Sequence, residues 1–347
     1  MGLTTWLACG PLYTQGLPAA FAPRAAEVDK GGPYIRMSGD TTETPQERHS
    51  IERNGVRILD TFAEAFSMRA ARVIITAQSA AWARTAADSM TGFATSVIGC
   101  KVEAGIDALL EPDATPDRRH GVSVLLFGFD AAGLQRQLID RVGQTVLTCP
   151  TTACFDGLPD APERVIVGGQ LRHFGDKFQA SKVLNGQRYW RIPVMEGEFL
   201  VQEAFGVQRA IGGGNLLILA ESTTQALAAA EAAVDVMRHV PGIILPFPGG
   251  IVRAGSKVGA KKYKNMVAST NDAYCPTLRG RDGVDSQLPA SVNSVLEIVV
   301  DGLDRAAIEQ ALRAGLAAAC RPGVVEISAG NYGGKLGKHH FHLHQLL

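Results

Sequence analysis

The sequence predicts an α+β protein of two similar lobes, each with helices packed on one face of an antiparallel sheet. Three observations carry this. Short apolar runs alternate with longer segments of helical spacing through most of the chain. In each half their order reads β-α-β then β-α-β, the split βαβ or ferredoxin-like pattern. Several segments also recur. Glu64-Ala-Phe66 returns as Glu203-Ala-Phe205, and Val73-Ile-Ile-Thr-Ala77 as Leu216-Leu-Ile-Leu-Ala220. Glu103-Ala-Gly-Ile106 corresponds to Pro248-Gly-Gly-Ile251, and Ser123–Asp130 to Ser294–Asp301 at an offset of 171 residues. Offsets that grow along the chain are those of a duplication with insertions.

The elements follow from periodicity and capping. Arg72 to Ala77 is a β-branched and aliphatic strand. Ser79 to Met90 has helical spacing, with Ser79 placed to cap it. Thr95 to Gly99 reads as a strand, Val122 to Phe129 as another, and Ala131 to Leu147 as a helix. Val183-Leu184 and Gln187 to Val194 flank Asn185-Gly186, a strong hairpin signal. The second half gives a strand at Asn215–Ala220, an Ala-rich helix at Thr223–His239 and a strand at Gly242–Leu245. A strand at Val292–Asp301, a helix at Asp304–Ala319 and a strand at Val324–Ser328 complete it.

The expected division is an extension over 1–53, its end set by where the family resemblance described below begins, a first lobe over 54–200 and a second lobe over 201–347 with a long insertion at 246–291. The first 36 residues carry Gly10-Pro11, Leu17-Pro18 and Gly31-Gly32-Pro33 without any period. They have no basic start and a broken apolar stretch, unlike a signal peptide. Met37 is an alternative first residue, with 1–36 making no core contacts.

A length of 347 residues is ample for a large core. Thirty-four Lys and Arg balance 34 Asp and Glu, so no global field draws the chain to nucleic acid or to a membrane surface. No apolar run reaches the roughly 20 residues of a membrane span. Six scattered cysteines without a Cys-x-x-Cys pair suit a reducing, cytoplasmic setting.

The best lead to chemistry is Glu297. In the strand Ser294-Val-Leu-Glu-Ile-Val-Val-Asp301 both faces are apolar, and Glu297 shares one with Val295 and Val299. An ionised carboxylate is costly among apolar side chains, so such a group stays protonated or serves a site. At the offset of 171 residues its counterpart is Leu126. The bland alternative is a glutamate at a sheet edge reaching solvent.

The insertion supplies the other candidates. Lys257, Lys261 and Lys262, with Lys264, form a basic cluster able to hold an anionic group, or else a solvated loop. Ser269, Thr270, Asn271 and Asp272 offer dense hydrogen bonding, and Tyr274 can stack or donate; a capped structural turn has the same composition. Gly250 to Lys257 misses the phosphate-loop spacing, and Gly212-Gly-Gly214 precedes a strand where a dinucleotide fingerprint would follow one. His340, His342 and His344 share one face of an extended tail, a pattern of edge or interface packing more than of a metal site. No Ser-His-Asp or Cys-His order stands out.

From Asn54 onward the chain resembles the formylmethanofuran:tetrahydromethanopterin formyltransferase family. The resemblance is carried by Asp60-Thr-Phe-Ala-Glu-Ala-Phe66, Gly92-Phe93, Glu103-Ala-Gly-Ile-Asp107, Glu196-Gly-Glu-Phe199 and Pro246-Phe-Pro-Gly-Gly-Ile-Val-Arg253. Ser269-Thr-Asn-Asp272, Tyr274-Cys-Pro-Thr277, Ile327-Ser-Ala-Gly-Asn331 and Gly333-Gly-Lys-Leu-Gly337 add to it. It implies transfer of a formyl group between N5 of tetrahydromethanopterin and a methanofuran-type amine. Both coenzymes are co-substrates, with no metal and no tightly bound cofactor. It implies the role of oxyanion stabiliser for Glu297. It implies a homodimer or homotetramer with the cleft between subunits. The zero net charge departs from strongly acidic archaeal relatives, which points to formaldehyde oxidation in a C1-oxidising bacterium and to hydrolase subunits as partners in a formyltransferase/hydrolase complex. A non-catalytic assembly subunit and a ligand-sensing module are the rival classes. Loss of Glu297 or of 269–277 would favour the first, and both are present; the long insertion speaks against the second.

Overall fold

The computed structural model describes residues 48–347. The expectations for residues 1–36 and for Met37 lie outside the described residues. Of the proposed extension, Ser50–Arg53 forms a strand, β1, which pairs antiparallel with β2 (Val56–Leu59).

The chain continues through β3 (Phe62–Ala77), α1 (Ala80–Thr91), a helical turn α2 (Val97–Cys100), β4 (Glu103–Leu110), β5 (His120–Gly128), α3 (Ala131–Arg141) and β6 (Ala153–Asp156). Next come β7 (Glu163–Ile166), a short α4 (Gly168–Leu171), β8 (Ala180–Leu184), β9 (Gln187–Val194) and β10 (Gly197–Gln202). The second half holds β11 (Ala204–Ala220), α5 (Thr223–Met237), β12 (Ile243–Ile244), β13 (Ser256–Val258), β14 (Ala268–Thr270), β15 (Ser294–Gly302), α6 (Arg305–Ala319), β16 (Val324–Ser328) and β17 (His339–His342).

Local chemistry fixes most of these ends. Ser79, Asp130, Ser222 and Asp304 cap α1, α3, α5 and α6, accepting from the N–H of Trp82, Gly133, Gln225 and Ala307. Each such cap is worth about 1 kcal/mol. Asn185 and Gly186 join β8 to β9 with φ of 49° and 76°, the left-handed pair that a two-residue hairpin turn demands. The strand expected at Thr95–Gly99 is instead the turn α2. Glu103 accepts from the N–H of Val97 at its start, and left-handed Lys101 ends it, so the strand begins two residues further on.

Antiparallel pairing gives the order β6-β3-β5-β4 in the first half and β16-β11-β15-β12 in the second. Helices α1 and α3 cover the first set, α5 and α6 the second. The sheet as a whole is mixed, which corrects the expectation of purely antiparallel sheets. β10 runs parallel to β6, and β16 parallel to β2. The two sets also share one sheet, because the first halves of the long strands β3 and β11 pair with each other, Ser67 opposite Ile211. No helix among the described residues is long and apolar enough to cross a membrane.

The register corrects the internal comparison. Asp130 and Asp304 cap equivalent helices, 174 residues apart, and β5 and β15 start and end at that same spacing. The counterpart of Glu297 is therefore Ser123, not Leu126: Ser123 lies opposite Ile74 as Glu297 lies opposite Leu217. Likewise Glu103 matches Ile244, not Pro248, since each pairs with the residue before the final glycine of its partner strand. A repeat of short aliphatic runs allows a slip of three residues that caps and hydrogen bonds do not.

Candidate active site

Glu297 sits where three segments meet. Its backbone pairs with Leu217 of β11 on one side and exchanges hydrogen bonds with Val252 on the other, at 3.0 and 2.7 Å. Val252 belongs to the insertion, so the inserted chain closes over this strand and keeps it off the sheet edge. The side chain is half-buried at a cavity of about 60 Å3 whose lining includes Leu217, Val252, Arg253, Gly255, Thr270, Asn271, Tyr274, Cys275 and Val295. That space suits a group of two or three heavy atoms, not a coenzyme body.

Burial pushes the Glu297 carboxyl up to about 7; its hydrogen bond from Asn215 pulls the other way without prevailing. No cation pairs with Glu297 among the described residues. Asn215 Nδ2 donates to Glu297 Oε1 at 3.0 Å, while Asn215 Oδ1 accepts from the N–H of Gly330 at 2.8 Å. The backbone bond fixes which way the amide points, so the NH2 end faces the acid. Oε2 is left toward the cavity beside Gly255, where an added Cβ would stand 3.1 Å from it. An acid half neutral at pH 7, with one oxygen held and one facing a small cavity, can donate a hydrogen bond to a developing oxyanion.

A second carboxylate lies outside the small cavity. Glu64, on β3, is 1% exposed and accepts the N–H groups of Tyr332, Gly334, Leu336 and Gly337 at 2.6–2.9 Å. Burial alone would raise its pKa, but these four backbone bonds outweigh it and hold Glu64 below the usual carboxylate range. The folded-back loop carries Tyr332 close to both acids. Burial first, then the charges of Glu297 and Glu64, push its phenol up. Asn215, Glu64 and Tyr332 escaped the sequence reading. Glu64 carries the same signal as Glu297, an acid inside an apolar strand; Asn215 and Tyr332 carry none.

The other expected residues divide. Thr270, Asn271 and Tyr274 join Glu297 around the small cavity. The Tyr274 hydroxyl turns to Ser328, and burial raises its pKa, so it packs the wall. Ser269 Oγ donates to the Gly259 carbonyl at 2.6 Å and closes the β13–β14 hairpin. Lys257 and Lys261 do not stand free: both pair with Asp272, Lys261 at 2.6 Å. Burial would raise the Asp272 pKa, but the two lysines hold it down. With Lys262, these residues line a neighbouring cavity of about 370 Å3 that shares Thr270 with the Glu297 cavity.

An acid poised near neutrality, with one oxygen facing a cavity sized for a small group, suits acyl transfer between two substrates, where a donor must meet a developing oxyanion. The family models agree with this class. One described as formylmethanofuran-tetrahydromethanopterin formyltransferase matches residues 51–194, and one described as its proximal lobe matches 197–346. The formylmethanofuran–tetrahydromethanopterin formyltransferase of Methylobacillus flagellatus is 59% identical over 301 residues, 85% of this chain and 99% of that protein. A component of the formyltransferase/hydrolase complex of Methylorubrum extorquens is 54% identical over 304 residues, 85% of this chain and 96% of that one. Two solved structures superpose closely. The Methanosarcina barkeri enzyme gives a TM-score of 0.80 at 50% identity over 86% of this chain and 100% of that one. The Methylorubrum extorquens formyltransferase/hydrolase complex, solved with methylofuran, gives 0.83 at 52% identity over 86% and 99%. The chain belongs to the formylmethanofuran–tetrahydromethanopterin formyltransferase family.

Proposed function

We propose that this chain transfers a formyl group between N5 of tetrahydromethanopterin and the amine of a methanofuran-type coenzyme, with Glu297 as the neutral acid that stabilises the intermediate. The acceptor nitrogen attacks the formyl carbon and forms a new C–N bond. The carbonyl π electrons move onto oxygen, and the Glu297 proton is donated in a hydrogen bond to it. Collapse restores the carbonyl and breaks the bond to the donor nitrogen, which leaves with the proton shed by the acceptor. Both nitrogens come from the coenzymes, so the protein needs no nucleophile. The observation that carries this is the raised pKa of Glu297 beside Asn215, with no cation paired to it among the described residues.

In this proposal Asn215 fixes the carboxyl orientation, and Thr270 and Asn271 border the formyl group. Lys262, with whatever charge Lys257 and Lys261 retain beyond Asp272, faces an anionic coenzyme tail in the larger cavity. The repeated strand order, the repeated caps, and β17 beside β3 as β7 lies beside β11 support two ferredoxin-like lobes joined near residue 200. The named complex from Methylorubrum extorquens supports hydrolase partners, and formaldehyde oxidation is the setting proposed for them. A cytoplasmic homodimer or homotetramer completes the proposal. Purified protein incubated with N5-formyl-tetrahydromethanopterin and a furan-type amine, followed optically, tests it. Transfer is expected from the native chain, and no transfer at any protein concentration would refute it.

A further inference from the structure

The alternating histidines of the tail part company in the structure. His340 and His342 pack on Phe62, with ring centroids 4.7 and 5.2 Å away. His344 instead meets two residues from the start of the fold, His49 and Asp60, and their ligating atoms all lie within 4.8 Å of one another.

The backbone brings these three together. Asp60 N–H donates to the His49 carbonyl at 2.9 Å, which closes the β1–β2 hairpin beneath both side chains. Leu343 N–H donates to the Thr61 carbonyl at 2.9 Å and sets His344 beside them. Nδ1 of His49 is 3.5 Å from Asp60 Oδ2, and Nδ1 of His344 is 3.6 Å from Oδ1. An N–H···O bond is shorter, at about 2.7–3.2 Å. Two ligands on one small cation, each bonded at about 2.0–2.1 Å in tetrahedral geometry, stand about 3.3–3.4 Å apart. Each imidazole thus stands near ligand spacing from its own Asp60 oxygen, and too far for a good hydrogen bond.

The tautomer of His344 adds a second argument. Its Nε2 is 2.9 Å from the Ile58 carbonyl oxygen, which only accepts, so Nε2 carries the proton. In the neutral ring Nδ1 then aims a lone pair at a carboxylate oxygen, two acceptors face to face. A cation between them removes the conflict, and a carbonyl holding the far N–H is the usual support of a metal-bound imidazole.

We propose that His49, Asp60 and His344 bind one divalent cation of the zinc class, with water completing its shell. Two imidazoles and one carboxylate suit zinc better than calcium or magnesium, which take oxygen ligands. The site ties the first hairpin to the last turn of the chain, so the cation stabilises the fold by binding the native state.

The full chain, stripped with a chelator and dialysed, is titrated with zinc chloride by calorimetry and with cobalt(II) by visible absorption at neutral pH. One zinc per chain at micromolar affinity or tighter is expected, with a melting-temperature rise of a few degrees at excess zinc. His49→Ala and Asp60→Asn each weaken binding at least tenfold and remove that rise, whereas His173→Ala, at an exposed histidine elsewhere, does neither. The His49 and Asp60 side chains are 78% and 51% exposed, so both variants fold, which their metal-free melting temperatures check. No saturable binding, or binding that survives both substitutions, overturns the site and leaves a proton on His344 Nδ1 as the occupant.

Discussion

Strands β5 and β15 hold equivalent places in the two halves, and their polar residues are handled in opposite ways. In the first half, Ser123 donates to Asp107 at 3.0 Å, and Arg72 pairs with the same Asp107 oxygen at 2.9 Å. In the second, Glu297 takes the place of Ser123, and Asn215 the place of Arg72, each partner two residues from the strand position opposite it. One lobe therefore meets a buried acid with a cation and makes a structural cluster. The other meets it with a neutral amide and leaves the acid near its neutral form. What makes a site of the second lobe is the missing charge as much as the acid itself.

The largest expected effect comes from removing the acid. Glu297→Ala should lower turnover about a hundred- to thousandfold, or about 2.7–4 kcal/mol, while Glu297→Gln keeps a donor and retains more activity. Ser123→Ala, at the equivalent place, should leave turnover within about twofold and cost about 1 kcal/mol of stability for the lost hydrogen bond. Transfer rates and denaturant unfolding of the three variants decide this. The next effect comes from importing the first lobe's solution. Asn215→Arg sets a guanidinium beside Glu297 and should lower its pKa, reducing turnover at pH 7 roughly tenfold or more. Activity regained at lower pH would mark the cause as charge, whereas an equal loss at every pH would mark it as packing.

Much of this contrast was legible in the sequence, for a physical reason. Glu297 announces itself because an acid breaks an apolar alternation, and side-chain period in a strand is rigid. The cap at Ser79 and the turn at Asn185-Gly186 are equally local. Pairing is not local. Whether Glu297 faces Asn215 or a cation depends on register across 82 residues, and the slip that made Leu126 its counterpart hid the comparison with Ser123. The partner of the lysine cluster is hidden for the same reason: Asp272 lies 15 residues from Lys257, and the β13–β14 hairpin brings it back to pair with that lysine.

Smaller effects sharpen the account. Gly255→Ala would place its Cβ 3.1 Å from Glu297 Oε2 and narrow the cavity, so a several-fold loss of turnover is expected with stability nearly unchanged. Lys262→Gln should raise the Michaelis constant two- to threefold at low salt with little change in turnover, since tail binding is uniform through the reaction. Neutralising Lys257 should do less to binding and more to stability, because it strips Asp272 of a partner.

The acid also leaves a mark on stability. Its folded pKa of about 7 lies above the ordinary value of 4.5, so its contribution is fully favourable below pH 4.5 and is lost as pH rises through 7. Glu297→Gln should accordingly unfold at higher denaturant than the native chain above pH 7, by up to about 3 kcal/mol, and show no such gain near pH 4.

The central claim is that Glu297 acts in its neutral form, and the pH dependence of turnover in the native chain and in Glu297→Gln tests it most directly. The expected result is a native rate that falls about tenfold per pH unit above 7, with a Glu297→Gln rate that is lower but flat across the same range. A native rate that rises through pH 7, with Glu297→Gln as inactive as Glu297→Ala, would make the residue a base and contradict the account.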